Sequence, residues 1–406
     1  MKVFAPFVLG VLILASCESP RPKIETPSVE TKDMFKRFRA ELALNDSTKL
    51  PFIFYQGETS ITILNGGEEI TLRQNIRRED DTLEYLFPVY NSVLNMLCSD
   101  EHCAGYFWDK DKGDTFRIDF TADVSDAPRF EQTKDACCSL KDEWEVIFRY
   151  DSERPRHALG EFTENDSGYT GSIITPTGDY RYLQGVMNGR QLQMATFDGK
   201  FAYYFAAELV DKKLQGHYFA GLSEAIPWRA QRNDTFSLPD ATGLTHLAEG
   251  YSRFDFALTD QNGDTLRPAI GKVHLIQILG SWCPNCSDEA KVLESFYQTY
   301  GDDGLTVTGI AFEMRDDSAS GWKAISKMKE DLGLSYPIVY AGKADPKNTS
   351  EMLPMLNRVM AYPTLIVLNR RGEVHSIKTG FKGPGTSFFE QYVEDMEMLI
   401  NELLYE

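Results

Sequence analysis

The rhythm of hydrophobic and polar positions changes once along this chain. From residue 33 to residue 238 short runs of apolar and β-branched residues, as at 52–55, 60–64, 68–72, 116–120, 145–150 and 172–175, are broken by turn residues. Alternation with period two sends one face of a strand inward and the other to solvent. Asn65-Gly66-Gly67, Thr177-Gly178-Asp179, Asn188-Gly189 and Asp198-Gly199 read as hairpin turns, because these residues accept the left-handed backbone that tight turns need. The runs 181–187, 191–196, 201–209 and 213–219 follow one another with short turns, which predicts a mainly antiparallel β region, a barrel or a sandwich. Residues 83–98 read as a helix, kinked or started late by Pro88. Tyr180, Tyr182, Phe197, Phe201, Tyr203, Tyr204, Phe205, Tyr218 and Phe219 crowd this half; at strand spacing they read as core, with a ligand-binding barrel mouth as the other reading.

The pattern changes near Ser237-Leu238-Pro239, and residues 239–250 read as a linker. Residues 251–406 then alternate strands and helices: an opening hairpin at 254–264, a buried strand at 273–279, a helix from Cys283, a strand at 305–312, a helix near 321–332, a short strand at 338–340 and a short helix near 351–359. A hairpin, 364–368 with 373–378, and a closing helix at 386–404 complete an α/β sandwich.

Composition adds compartment and partners. A chain of 406 residues, 42% hydrophobic and 25% charged, is long enough for more than one core. Its formal net charge of -19 argues against nucleic acid or anionic lipid as a partner of its surface. Lys2, the apolar run 3–14 and Leu14-Ala15-Ser16-Cys17 resemble the export signal and lipobox of bacterial lipoproteins. That resemblance implies a signal peptide over 1–16, acylation of Cys17 and a periplasmic or other cell-envelope location. Residues 17–32, rich in Pro, Ser and charge, read as a flexible tether.

The chain has seven cysteines, and setting Cys17 aside leaves an even number. Cys98, Cys103, Cys137 and Cys138 read as two structural disulfides in an oxidising compartment. Three pairings are open; adjacent Cys137 and Cys138 would strain if joined, so pairing across to Cys98 and Cys103 is expected. A second redox or metal site that includes His102 is the competing reading, but separated CxxC pairs are missing, and no metal ligand set is assigned. Trp282-Cys283-Pro284-Asn285-Cys286 is different in kind. Two cysteines two residues apart at a strand-to-helix junction close a disulfide ring and reopen it. Unpaired helix N–H groups at that junction favour a thiolate at Cys283, the form that attacks disulfides. Cys286, one turn on, is placed to resolve the adduct.

With that site, the opening hairpin, Tyr362-Pro363 ahead of a strand and the Arg371-Gly372-Glu373 turn, the C-terminal region resembles the thioredoxin fold. It is most similar to the TlpA/ResA-like thiol–disulfide oxidoreductases, the membrane-anchored extracytoplasmic branch. The resemblance covers less than half of the chain. It implies a reductase or isomerase acting on cysteine-containing proteins, supplied by a membrane thiol donor, with no cofactor beyond the redox-active disulfide Cys283–Cys286. It implies a cis peptide at Pro363, a backbone at Tyr362 that pairs with substrate, Trp282 at the rim of the site, and Glu289 as proton carrier for the buried thiol. Cytoplasmic thioredoxins have an aspartate six residues before the first cysteine; Gln277 stands there and cannot act as a base. None of the six histidines, His274 included, belongs to this set. Two other readings stand beside this one. A thiol peroxidase would need Thr or Ser at position 280 and proline at 276, where the chain has Gly280 and Ile276. Alternatively, the β-rich half binds a ligand or partner and the redox domain serves it.

Overall fold

Period-two burial builds the first half of the structure. In β1 (Lys36–Ala43), Phe38, Ala40 and Leu42 are buried and the residues between them are partly exposed. β2 (Lys49–Gln56), β3 (Ser60–Asn65), β4 (Glu68–Arg77), β5 (Leu83–Leu86), β6 (Ser92–Cys98), β7 (His102–Asp109) and β8 (Arg117–Val124) follow in antiparallel order. β8 pairs back onto β1 and closes a barrel, which leaves no open sheet edge. Side chains fill it: Phe87, Phe107 and Phe197 meet edge to face at centroid distances of 5.8, 5.5 and 5.0 Å. The computed structural model describes residues 35–77 and 80–406. The signal read at 1–16, Cys17 and the tether at 17–32 lie outside the described residues.

The second sheet contains β9 (Asp142–Phe148), β10 (Arg156–Asn165), β11 (Gly168–Thr175), β12 (Gly178–Asp179), β13 (Leu183–Asn188), β14 (Gln191–Phe197), β15 (Ala202–Val210), β16 (Lys213–Ala220) and β17 (Ile226–Arg232). β11 pairs with both β13 and β10, so all strands but β12 form a second ring of pairings. Trp144, Phe205 and Trp228 are buried inside it, and Tyr218 stacks on Phe205 at 5.0 Å. These aromatics are core, as their spacing suggests.

Two expectations for this half fail. Residues 83–98 are not a helix but β5 and β6, joined by a turn at Pro88–Asn91. Phe87 N–H donates to Ser92 O, and Val89 takes a positive φ of 65°, so the turn reverses the chain where a helix would continue. The cysteines also pair differently. Cys98 and Cys103 face each other across the β6–β7 hairpin and are bonded to one another, while Cys137 and Cys138 form no disulfide among the described residues. Hairpin register set this pairing, and the sequence rhythm misread as a helix concealed it.

In the C-terminal part, β18 (Leu258–Thr259) and β19 (Thr265–Leu266) form the opening hairpin. β20 (Val273–Leu279), α1 (Pro284–Tyr300), β21 (Leu305–Glu313), α2 (Ser318–Leu332), β22 (Ile338–Lys343), α3 (Pro346–Met352), β23 (Thr364–Leu368), β24 (Val374–Thr379) and α4 (Phe388–Tyr405) follow. The sheet order is β22-β21-β20-β23-β24, parallel between β20 and β21 and antiparallel between β20 and β23. Central β20 is buried throughout, as a strand covered on both faces should be. Leu275 and Leu279 join the cluster with Leu293 of α1 and Ile400 of α4; Ile276 and Ile278 join Phe254 and Leu353 on the other face. α3 starts earlier than its pattern suggests. Asp345 caps it by accepting from Asn348 N–H at 3.0 Å, with Pro346 in the first turn, and it stops before Pro354. His274 is buried in the core, where its Nε2 lies 2.9 Å from Thr308 Oγ1. Residues 36–406 form one compact unit.

Candidate redox site

Apolar β20 ends at Gly280, and the chain must turn sharply there to start α1. A side chain at position 280 would approach Phe312 O to 2.7 Å and also meet the Trp282 ring, so glycine is required. Trp282 is half-buried: its Nε1–H donates to Phe312 O at 2.9 Å, and its ring meets Tyr362 edge-on at 5.4 Å. Cys283 is the N-cap of α1, with Pro284 in the first turn, and Cys286 N–H donates to Cys283 Sγ at 3.2 Å. Cys283 and Cys286 are joined as a disulfide. Cys286 is fully buried, and Cys283 keeps 6% exposure. The Tyr362–Pro363 peptide is cis, and the Tyr362 carbonyl oxygen lies 3.4 Å from Cys283 Sγ.

Behind the disulfide sits Glu289, fully buried one turn beyond Cys286. Its Oε2 accepts from Gln277 Nε2 at 2.9 Å, and its Oε1 from the Tyr392 hydroxyl at 2.8 Å. Burial pushes this carboxyl up to about 7, against the opposing pull of those two hydrogen bonds. Gln277 Nε2 also donates to Cys286 O at 3.1 Å, so one amide ties the carboxyl to the resolving cysteine. Among the described residues, Gln277 Oε1 is buried without a hydrogen-bond partner.

On the Trp282 side, Glu313 at the end of β21 accepts from Ser281 N–H at 3.0 Å and Ser281 Oγ–H at 2.7 Å. Burial pushes it up to about 7 as well. It borders a cavity of about 280 Å³ lined by Trp108, Trp282, Arg315 and Lys323.

The fold thus gathers Trp282, Cys283, Cys286, Glu289, Tyr362 and Pro363 at one place. His102 is elsewhere: it is exposed, with Nδ1 2.8 Å from Asp123 Oδ1. Sequence reasoning missed Tyr392, which arrives from α4, and did not foresee Gln277 as the partner of Glu289. It also missed Glu313, although the carboxyl end of a central parallel strand is where open α/β sheets place their sites.

Residues 235–393 match the Redoxin family. The chain is 28% identical over 141 residues to "Thiol-disulfide oxidoreductase ResA" of Geobacillus kaustophilus, covering 34% of this chain and 74% of that protein. It is 26% identical over 136 residues to "Thioredoxin-like protein YneN" of Bacillus subtilis, covering 33% and 73%. Among solved structures, StoA from Bacillus subtilis aligns with a TM-score of 0.26 and 23% identity over 34% of this chain and 94% of its own. A DsbF homologue from Corynebacterium diphtheriae aligns with a TM-score of 0.31 and 20% identity over 42% and 99%. By its family match, the C-terminal region of this chain is a Redoxin domain, similar in sequence to ResA-type thiol–disulfide oxidoreductases.

Proposed function

We propose that this protein is an extracytoplasmic, lipid-anchored thiol–disulfide oxidoreductase that reduces or isomerises disulfides of cysteine-containing proteins. The observation that carries the reading is a CxxC disulfide at a helix start, with a buried, proton-ready carboxyl behind it. A thiol donor in the membrane first reduces the pair. Cys283 thiolate, stabilised by the Cys286 N–H and the helix end, then attacks one sulfur of a substrate disulfide. A mixed disulfide forms and one substrate thiolate leaves. Glu289 takes the proton of Cys286. The Cys286 thiolate attacks Cys283 Sγ, restoring the intramolecular disulfide and releasing the second substrate thiolate, which is protonated. Two electrons pass from the pair to the substrate. Trp282 and the backbone of Tyr362 flank the entering strand, beside the cis peptide at Pro363. Cys17 carries the lipid, which fixes the site on the outer side of a membrane.

Reduced protein should precipitate insulin by reducing its interchain disulfides. Cys283→Ser should abolish that activity, and Cys286→Ala should accumulate mixed disulfides on Cys283 that non-reducing gels reveal. A reduced wild type unable to act on insulin or on any small disulfide would overturn the reading. Cys17→Ser should move the protein from the membrane fraction to the soluble one.

A further inference from the structure

A thiol that exchanges with protein disulfides needs room for a second polypeptide beside it, and here that room is taken. Pro284, Asn285, Ser287 and Asp288, the residues around and just after the CxxC loop, are all buried. The short turn from β11 to β12 in the second β sheet lies against them. Asp179 Oδ2 accepts from Asn285 Nδ2 at 2.9 Å and from Gly383 N–H at 2.7 Å. Gly380, directly after β24, donates its N–H to Pro363 O at 2.8 Å and has a φ of 82°, and the Thr177 backbone fills the space a side chain there would need. Arg181, 5% exposed, forms an ion pair with Asp288 of α1, another with Glu68 of the barrel at 2.8 Å, and a third with Asp198 at 3.5 Å. At the rim, Ser387 Oγ–H donates to Glu161 Oε1 at 2.7 Å. The contacts of Asp179, Thr177 and Glu161 and the Arg181–Asp288 pair join the Redoxin domain to the β-rich half, while the pairs of Arg181 with Glu68 and Asp198 anchor the turn within that half. Buried ion pairs of this kind cost desolvation and are weak as sources of stability, so what they fix is the placement of the turn.

We infer that Asp179 and Arg181 are specificity-determining residues: they hold the 175–181 turn across one flank of the redox site, so that narrow or extended disulfides reach Cys283 and broad folded surfaces do not. The inference rests on the thiol–disulfide reading above. It gives the β-rich half a role in substrate choice without requiring a ligand of its own.

The test compares the full chain, reduced beforehand, on two disulfides: folded insulin and the small aromatic disulfide dithiobis(nitrobenzoate). Wild type should favour the small disulfide. Arg181→Gln should raise the insulin-to-small-disulfide rate ratio about tenfold, which corresponds to about 1.4 kcal/mol of released contact. If Arg181→Gln unfolds the chain, Asp179→Asn, which keeps the shape and weakens two hydrogen bonds, carries the same expectation. Variants that fold and leave the ratio unchanged overturn the inference. Alkylation supplies an independent readout. Cys283 in reduced wild type should react with iodoacetamide much faster than with a maleimide bearing a long polyethylene glycol chain, and the gap should narrow in the variants. An equal gap in all proteins overturns the gate, whereas inactivity of wild type on both disulfides overturns the activity reading and leaves the alkylation result to decide the gate.

Discussion

Glu289 concentrates the chemistry of this protein in one side chain. A free carboxyl is ionised at neutral pH, but this one is buried and pushed from 4.5 up to about 7, so it holds or yields a proton near neutrality. Glu289→Gln keeps the shape. Its amide oxygen still accepts from Gln277, and its NH₂ group donates to Tyr392 in place of accepting. The variant should lose about 10²-fold in disulfide reduction, the usual size of a lost general acid–base group, together with the pH-dependence near 7. A rate within a factor of about three of wild type would exclude the proton-carrier role. Stability moves the other way. The folded carboxyl holds its proton more tightly than the unfolded one, so its favourable contribution is complete below 4.5 and lost as pH rises through about 7. At pH about 8 the Gln variant should therefore be more stable than wild type by up to about 3 kcal/mol, and the advantage should vanish below about 4.5. Chemical denaturation at both pH values measures this. Cys283, Cys286 and Glu289 were legible because all three lie within two helical turns, where spacing alone fixes the geometry. Tyr392 was not, because it meets Glu289 only after α4 has folded back across the sheet.

Elements were legible wherever one periodicity acted alone. β20, with seven buried residues in a row, and α1, which opens with Pro284, could be read directly. The misread helix at 83–98 shows the limit. Buried residues there follow from barrel closure, with both β5 and β6 filling the interior, so the run lacks clean alternation and imitates a helix. The same error hid the Cys98–Cys103 bond, because two cysteines at the end of a helix would not face each other across a hairpin. That bond closes a short loop, and chain entropy assigns such a crosslink about 2 kcal/mol. Replacing both Cys98 and Cys103 by Ala should lower the unfolding free energy by about that amount and leave insulin reduction unchanged. Loss of activity in the folded double variant would assign this disulfide to the redox path.

Burial of acids in a strongly acidic chain links the redox domain to the stability of the rest. Glu68 in the barrel, Glu289 behind the disulfide and Glu313 beside Ser281 are each pushed by burial up to about 7. Burial also raises Asp179 and Asp198 near Arg181. Between 4.5 and 7 the folded chain holds protons that the unfolded chain has released, so stability falls as pH rises through that window. His274 acts in the opposite sense: burial pulls it down to about 4, so its contribution is present above 6.5 and lost as pH falls toward 4. The carboxyls outnumber it, and a net charge of -19 adds self-repulsion that also grows with pH. The urea midpoint should therefore be higher at pH about 5.5 than at about 8, by an amount equivalent to a few kcal/mol. Of the three glutamates only Glu68 touches Arg181, so Glu68→Gln should flatten part of this slope and also loosen the turn beside the redox site, whereas Glu313→Gln should flatten the slope alone. A midpoint that rises with pH, or equal effects of the two variants on the insulin-to-small-disulfide ratio, would break the connection between these buried acids and access to the redox pair.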